Sequence, residues 1–249
     1  MMRRVVKRVY HSLQRGELRR FLHWCGSGHV VARLRTHRYL GNGNGVKALQ
    51  VGGGRHVVKG WLNGDLIAGD VYLDAARRLR FPDDSFDIVF AEHFIEHLSL
   101  EDGSGFLGEA YRVLRPGGVL RISTPSLDKV LATYAGSNPL VDQNACLTRH
   151  SRLHRRGEDV NPCQFVNDLF RLWGHRFLYD QPTLERSLAR AGFEDVEWVA
   201  FGVSRNDALQ DRERHAEVEW MKNGLVMICE ARKQEGSGPV RPPGSSSSG

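Results

Sequence analysis

Three consecutive glycines, Gly52-Gly53-Gly54, follow the apolar run Val46 to Val51. Glycines at such a point let the backbone take positive φ and approach a ligand closely. Asp65 ends the next short apolar run, where an acid can accept both hydroxyls of a ribose. Asp74, in Leu73-Asp74-Ala75, ends a third run. It could accept the amino group of an adenine, or cap a helix over Ala75-Ala76-Arg77-Arg78. Three histidines, His93, His97 and His175, are candidate proton acceptors, because imidazole titrates nearest neutral pH. Each can equally be a hydrogen-bonded structural residue. Arg149, Arg152 and Arg156 fall on one helical face, as an anion-binding lid or a solvated turn would place them. No acid cluster has the spacing of a metal site, and the four cysteines form no C-x-x-C pair, so no metal is expected.

The elements that must position these residues alternate. Val46–Val51, Trp61–Asp65, Val71–Asp74, Phe86–Glu92, Val119–Ser123, Val196–Phe201 and Leu225–Ala231 read as strands. Phe106–Leu114 and Thr183–Ala191 read as helices, the first stopped by Pro116-Gly117-Gly118 and the second capped by Gly192. Strands alternating with helices predict a mostly parallel sheet with helices on both faces. The last two strands lack a helix long enough for a parallel crossover, so one of them is expected to enter antiparallel. Only Arg55-His56-Val57-Val58-Lys59-Gly60 separates the first two strands. A dinucleotide-binding unit needs a full helix there, with its acid about 20 residues on, so that reading is set aside.

Together these segments resemble the class I S-adenosylmethionine-dependent methyltransferases. Lys47-Ala48-Leu49-Gln50-Val51-Gly52-Gly53-Gly54 is similar to their first motif, and Asp65 falls where their ribose-binding acid is expected. Phe81-Pro82-Asp83-Asp84-Ser85-Phe86-Asp87-Ile88-Val89-Phe90, Glu96-His97-Leu98 and Glu109-Ala110-Tyr111-Arg112-Val113-Leu114-Arg115-Pro116-Gly117-Gly118 resemble the subgroup that includes ubiquinone-biosynthesis-type enzymes. Gly60 to Asp65 and Trp173-Gly174-His175-Arg176-Phe177-Leu178-Tyr179-Asp180 are similar to a small bacterial group associated with glycan biosynthesis. The resemblance implies a Rossmann-like, mostly parallel seven-stranded sheet and S-adenosyl-L-methionine as cofactor. It implies adenosine over Gly52, Gly53 and Gly54, ribose on Asp65, and adenine facing Asp74 and Ala75. Glu92 and His93 face the methionine end, near the reactive methyl. Gly64, where a strand residue is usual, is expected to loosen the position of Asp65.

A hydroxyl acceptor requires a base, for which His97, His175 and His93 are the candidates, and the acceptor expected is a sugar, glycan or related small molecule. Residues 1–40 carry ten Lys and Arg against one acid, leaving the rest with 25 bases and 28 acids. This basic, roughly amphipathic arm is expected to pack on the domain or to meet an anionic membrane surface. The methyltransferase domain is expected over 41–234, with 135–166 as a substrate lid and a disordered tail at 235–249, where Gly, Ser and Pro make up 12 of 15 residues. No apolar stretch is long enough to span a bilayer, the start lacks the apolar core of a secretory signal, and the scattered cysteines suit a cytoplasmic protein. Two rivals are a nucleic-acid methyltransferase and a non-catalytic protein that kept the fold. The absence of aromatics interleaved with the basic patches argues against nucleic acid.

Overall fold

The computed structural model describes residues 27–43, 45–66, 68–153, 161–214 and 219–236. The basic arm up to residue 26, Arg156 and the tail from 237 lie outside the described residues.

Helix α1 (Ser27–Gly41) comes first and lies against the sheet edge, with Ala32, Tyr39 and Leu40 packed on the core. It is anchored where it ends. The Tyr39 hydroxyl donates to the Ala48 carbonyl and accepts from the Ala48 amide, at 3.1 and 2.9 Å. The Lys47 ammonium donates to the carbonyls of Tyr39, Asn42 and Gly43, which closes the glycine-rich break before the first strand.

Seven strands follow: β1 (Ala48–Val51), β2 (Leu62–Asp65), β3 (Val71–Tyr72), β4 (Phe86–Glu92), β5 (Leu114–Pro125), β6 (Phe193–Val199) and β7 (Val226–Lys233). Their order across the sheet is β3-β2-β1-β4-β5-β7-β6. β1 to β5 are mutually parallel, whereas β7 runs antiparallel to both β5 and β6. This is the expected Rossmann-like, mostly parallel seven-stranded sheet, with the expected antiparallel strand. Strand alternation separates two faces. Leu49, Val51, Val89, Ala91, Leu120 and Ile122 pack with α1, with α2 (Leu100–Val113) and with α6 (Gln181–Arg190). Ala48, Ile88, Phe90 and Val119 pack with Trp61, Ala208 and Leu209. A separate cluster of Val130, Val141, Cys146 and Phe165 holds α3 (Leu127–Tyr134), α4 (Gln143–Leu153) and α5 (Pro162–Arg171) together. The last helix, α7 (Glu219–Gly224), leads into β7.

Several boundaries differ from the sequence reading for local reasons. β5 begins at Leu114, directly after α2, so Pro116-Gly117-Gly118 lies within the strand. The register shifts there: Phe86 pairs Leu114 but Ile88 pairs Val119, and the intervening residues bulge at Gly117, whose φ is +76°. α2 starts at Leu100, six residues earlier than its apolar face suggests, because Ser99 accepts the Asp102 amide as an N-cap. β6 starts at Phe193, straight after the α6 turn.

The β1–β2 connection holds no helix and is tied by side chains instead. Buried Asn63 accepts the Val58 amide at 2.8 Å and donates to the carbonyls of Val58 and Trp61 and to Asp70. Gln50 accepts the same Val58 amide from the β1 side. Gly64 does not loosen β2, contrary to expectation. It pairs with Val51 and Val71, and a Cβ there would meet Leu73 Cδ1 at 2.6 Å, so β2 is pinned on both sides.

On the second face β5 carries a fully buried arginine. Arg121 donates to Glu213 at 2.6 Å, to Glu230 on β7 and to the Val203 carbonyl. Burial disfavours its charge, but the two carboxylates outweigh that and raise its pKa. The ion triad fastens the turn-rich segment 200–214 to the sheet. Removing only the arginine strands two carboxylates out of water, which costs about 3–5 kcal/mol. Arg121→Met is therefore expected to lower the free energy of unfolding by that amount in a guanidinium titration, with a much smaller loss for an exposed arginine such as Arg205→Met.

Candidate active site

The strand order reverses direction between β1 and β4, since β2 and β3 extend one way and β5 the other. In open parallel sheets ligands sit in the crevice beyond the carboxyl ends at this switch point. Gly52, Gly53, Gly54, Asp65, Glu92 and His93 all stand at those ends.

The glycine turn is shaped by what surrounds it. Gly52 has φ +71°, and a Cβ there would lie 2.1 Å from Phe94 Cδ2. A Cβ on Gly53 would meet the Gln50 amide at 2.4 Å. Gly54 has φ +56° with nothing within 4 Å of its missing Cβ, so the turn is packed beneath and open above. The Asp65 carboxylate accepts the Gly54 amide at 3.0 Å and the Ala68 amide at 3.2 Å. It thereby fixes the end of β2 against the turn that follows β1.

Asp74 lies after β3. Its carboxylate accepts the Ala76 amide at 3.3 Å and pairs with Arg77, so it caps a turn at Ala75-Ala76. The helix over Ala75–Arg78 that sequence allowed is absent; the chain turns back into Leu79, whose amide is held by Glu109 of α2 at 2.7 Å.

β4 ends in Glu92 and His93. Glu92 is buried and accepts the Arg214 amide at 2.7 Å, which brings the 200–214 segment to the site. His93 has φ +46°, a left-handed conformation rare for a side-chain-bearing residue and worth noting at a functional position. Its Nδ1 lies 3.0 Å from Glu96 Oε1. Glu96 is fully buried, and its Oε2 accepts the Thr124 hydroxyl at 3.0 Å. Burial alone would raise the Glu96 pKa, but the His93 bond and charge outweigh it and hold the carboxyl below its usual range. For His93, burial opposes the charged ring, and the bond to Glu96 with the charges of Glu96 and Glu92 reverses this and raises its pKa. The pair is an ion pair in mildly acidic solution.

His97 and His175, 78 positions apart in sequence, stack edge to face with centroids 4.9 Å apart. The loop carrying His175 is drawn in by Glu96, whose carbonyl accepts the amides of Arg176 and Phe177 at 2.8 and 3.2 Å. Trp173 and Gly174 both adopt positive φ, which reverses the chain after α5 and brings His175 back. Its Nδ1 donates to the Leu169 carbonyl at 2.6 Å, and burial lowers its pKa. One ligand atom each from Glu96, His97 and His175 lies within 4.8 Å of the others.

The three candidate histidines therefore share one wall. Sequence reasoning missed the residue that gathers them: Glu96, three positions after His93, reads from sequence as part of a motif rather than as a buried carboxylate. Thr124, beside the predicted end of β5, was missed as well. Of the expected lid, 135–166, the described residues form α4 and the start of α5. Arg149 and Arg152 line an open pocket of about 410 Å³ with Ala145, Thr148 and Leu153, and none of the other candidates is in that lining. His150, in the same run, is buried against Asp168 of α5 at 2.9 Å and ties the two helices.

Residues 25–122 match the methyltransferase domain family. A ubiquinone/menaquinone biosynthesis C-methyltransferase of Vibrio campbellii is 31% identical over 138 residues, 53% of this chain and 48% of that one. A probable S-adenosylmethionine-dependent methyltransferase of Mycolicibacterium smegmatis is 50% identical over 48 residues, 19% of this chain and 18% of its own. The chain thus spans about half the length, or less, of these curated relatives. Among solved structures, a methyltransferase of Archaeoglobus fulgidus matches with a TM-score of 0.45 and 19% identity, covering 84% of this chain and 95% of that one.

Removing the Glu96 carboxylate leaves the buried Thr124 hydroxyl and the His93 ring short of an acceptor. Each such loss costs about 1–3 kcal/mol. Glu96→Ala is expected to destabilise by at least that amount in thermal or denaturant melts, and Glu96→Gln, which keeps an acceptor for Thr124, by less.

Proposed function

We propose that the chain is an S-adenosylmethionine-dependent methyltransferase acting on an oxygen of a sugar, glycan or related small molecule. The observation that carries the cofactor reading is the contact of Asp65 with the Gly54 amide. It sets a carboxylate against an open glycine turn at the switch point of the sheet, where a nucleoside can be held by its ribose. The residues fit such a group: the turn is closed beneath by Phe94 and Gln50 and open at Gly54. Gly52, Gly53 and Gly54 would lie along the adenosine, Asp65 would accept the ribose hydroxyls, and Asp74 with Ala75 would face the adenine. Glu92 and His93 would face the amino-acid end. When bound, this cofactor supplies an electrophilic methyl group on a sulfonium.

What the chain itself contributes is positioning and a proton acceptor. A hydroxyl must lose its proton as it becomes a nucleophile, and His93 is the residue proposed to take it. Glu96 at Nδ1 fixes the tautomer in which Nε2 is the basic nitrogen, and it stabilises the imidazolium that results. Glu96 is thus a positioning residue. His97 and His175 line the same wall and are proposed to contact the acceptor. The Vibrio campbellii relative is named a C-methyltransferase, and an acidic carbon acceptor would use the same base, so acceptor screens should include both classes.

The 41–234 extent of the domain and a membrane-facing role for the basic arm are proposals that rest on charge and sequence pattern. α1 packs on the core, which favours counting it with the domain.

Titration calorimetry with S-adenosylmethionine and S-adenosylhomocysteine tests the reading. Micromolar binding, weakened at least about 10-fold in Asp65→Ala as expected for losing a charged hydrogen-bond partner, supports it. A wild-type protein that melts cooperatively and binds neither compound refutes it.

A further inference from the structure

From the juxtaposition of Glu96, His97 and His175 we infer a binding site for a divalent first-row transition cation of the zinc type, made of two imidazoles and one carboxylate. Donor chemistry comes first. Imidazole and carboxylate suit zinc, iron, cobalt and nickel, whereas magnesium and calcium prefer sites built wholly of oxygen. Three protein ligands with further positions left for solvent or substrate is the pattern of catalytic rather than structural zinc.

The surroundings are those of a metal centre before its metal. A ligating histidine usually donates its second ring nitrogen to a carbonyl or carboxylate, which fixes ring and tautomer. His175 does this: Nδ1 donates to the Leu169 carbonyl, so Nε2 carries the lone pair. The carboxylate is likewise oriented, with Thr124 on Oε2 and His93 on Oε1. A carboxylate offers about four acceptor positions, so these two bonds leave room for a cation. The two histidine-bearing segments are held together through the Glu96 carbonyl, which accepts from Arg176 and Phe177.

The separations also fit with a small adjustment. Ligand atoms bonded to one such cation at about 2.0–2.2 Å stand roughly 3–3.5 Å apart. Here they lie within 4.8 Å of one another. The ring that must turn is His97, whose side chain makes no hydrogen bond among the described residues and stacks edge to face with His175. Burial of Glu96 strengthens the case, because a buried carboxylate attracts a cation far more than an exposed one does. A cation here would sit beside His93 and bind an acceptor oxygen directly, lowering the pKa of a hydroxyl placed on it. The site itself does not depend on the methyltransferase reading.

The test is titration of the full chain with Co²⁺ alone, followed by visible absorption and calorimetry. The wild type is expected to bind one cation per chain with ligand-field bands. His97→Gln and His175→Gln are each expected to weaken binding at least about 10-fold, as loss of even a supporting residue does. His37→Gln, exposed on α1, should leave binding unchanged. Melting curves establish that the variants fold, and if His175→Gln does not, His97→Gln alone decides. No saturable binding by folded wild type, or equal affinity in folded His97→Gln, overturns the site. Cation binding without S-adenosylhomocysteine binding would overturn the methyltransferase reading and leave the cation site standing.

Discussion

A single buried carboxylate organises the proposed acceptor side of the site. Ionised Glu96 out of water would cost many kcal/mol if unpaired, so everything near it is arranged to satisfy it. His93 supplies a charge partner from the end of β4 and Thr124 a hydroxyl from the end of β5. Its backbone carbonyl collects the loop that carries His175. The ends of β4 and β5 and the loop carrying His175 are thus fixed by one residue in a short 3-10 turn, Ile95–His97. The left-handed backbone of His93 follows from this: the chain must turn sharply after β4 to bring residue 96 back beneath residue 93.

The proposed cofactor side depends on a different economy of structure. Most parallel crossovers use a helix of a dozen or more residues, yet β1, β2 and β3 are joined by short turns. Their backbone groups still need partners, and buried polar side chains provide them. Asn63 and Gln50 hold the first connection, Asp70 meets the Asn63 amide at 3.0 Å in the second, and Asp65 ties Gly54 to Ala68. The result leaves the glycine turn half-buried and open at Gly54 at the switch point. Opposite it, Arg121 with Glu213 and Glu230 fastens segment 200–214, whose Arg214 amide reaches Glu92. The two proposed halves of the site are therefore coupled through β4 and β5.

Much of this was legible in the sequence, and the reasons differ by element. β4 reads correctly to the residue because an apolar run sits between a turn-forming Pro82-Asp83-Asp84-Ser85 and a change of period. The glycine turn and Asp65 are legible because their neighbours in space are near in sequence. β5 reads short because Pro and Gly signal a break, whereas a bulge absorbs them inside the strand. Gly64 reads as a weakness because sequence cannot show that Leu73 fills the space beside it. The histidines are visible singly, but their meeting depends on a chain reversal at Trp173-Gly174 and on the Glu96 carbonyl, which no spacing rule encodes. Arg121 is the one charge in the apolar run Val119–Ser123, a signal of a buried ion pair whose partners lie about 90 and 110 positions away.

The central claim is that the carboxyl ends of β1, β2 and β4 form one cofactor site, and amide hydrogen exchange with and without S-adenosylhomocysteine tests it most directly. The account predicts slowed exchange on ligand addition at Gly52–Gly54, around Asp65 and at Glu92–His97, with α4 and α5 unchanged. Unaltered exchange at both the glycine turn and the end of β4, or slowing confined to α4 and α5, would contradict it.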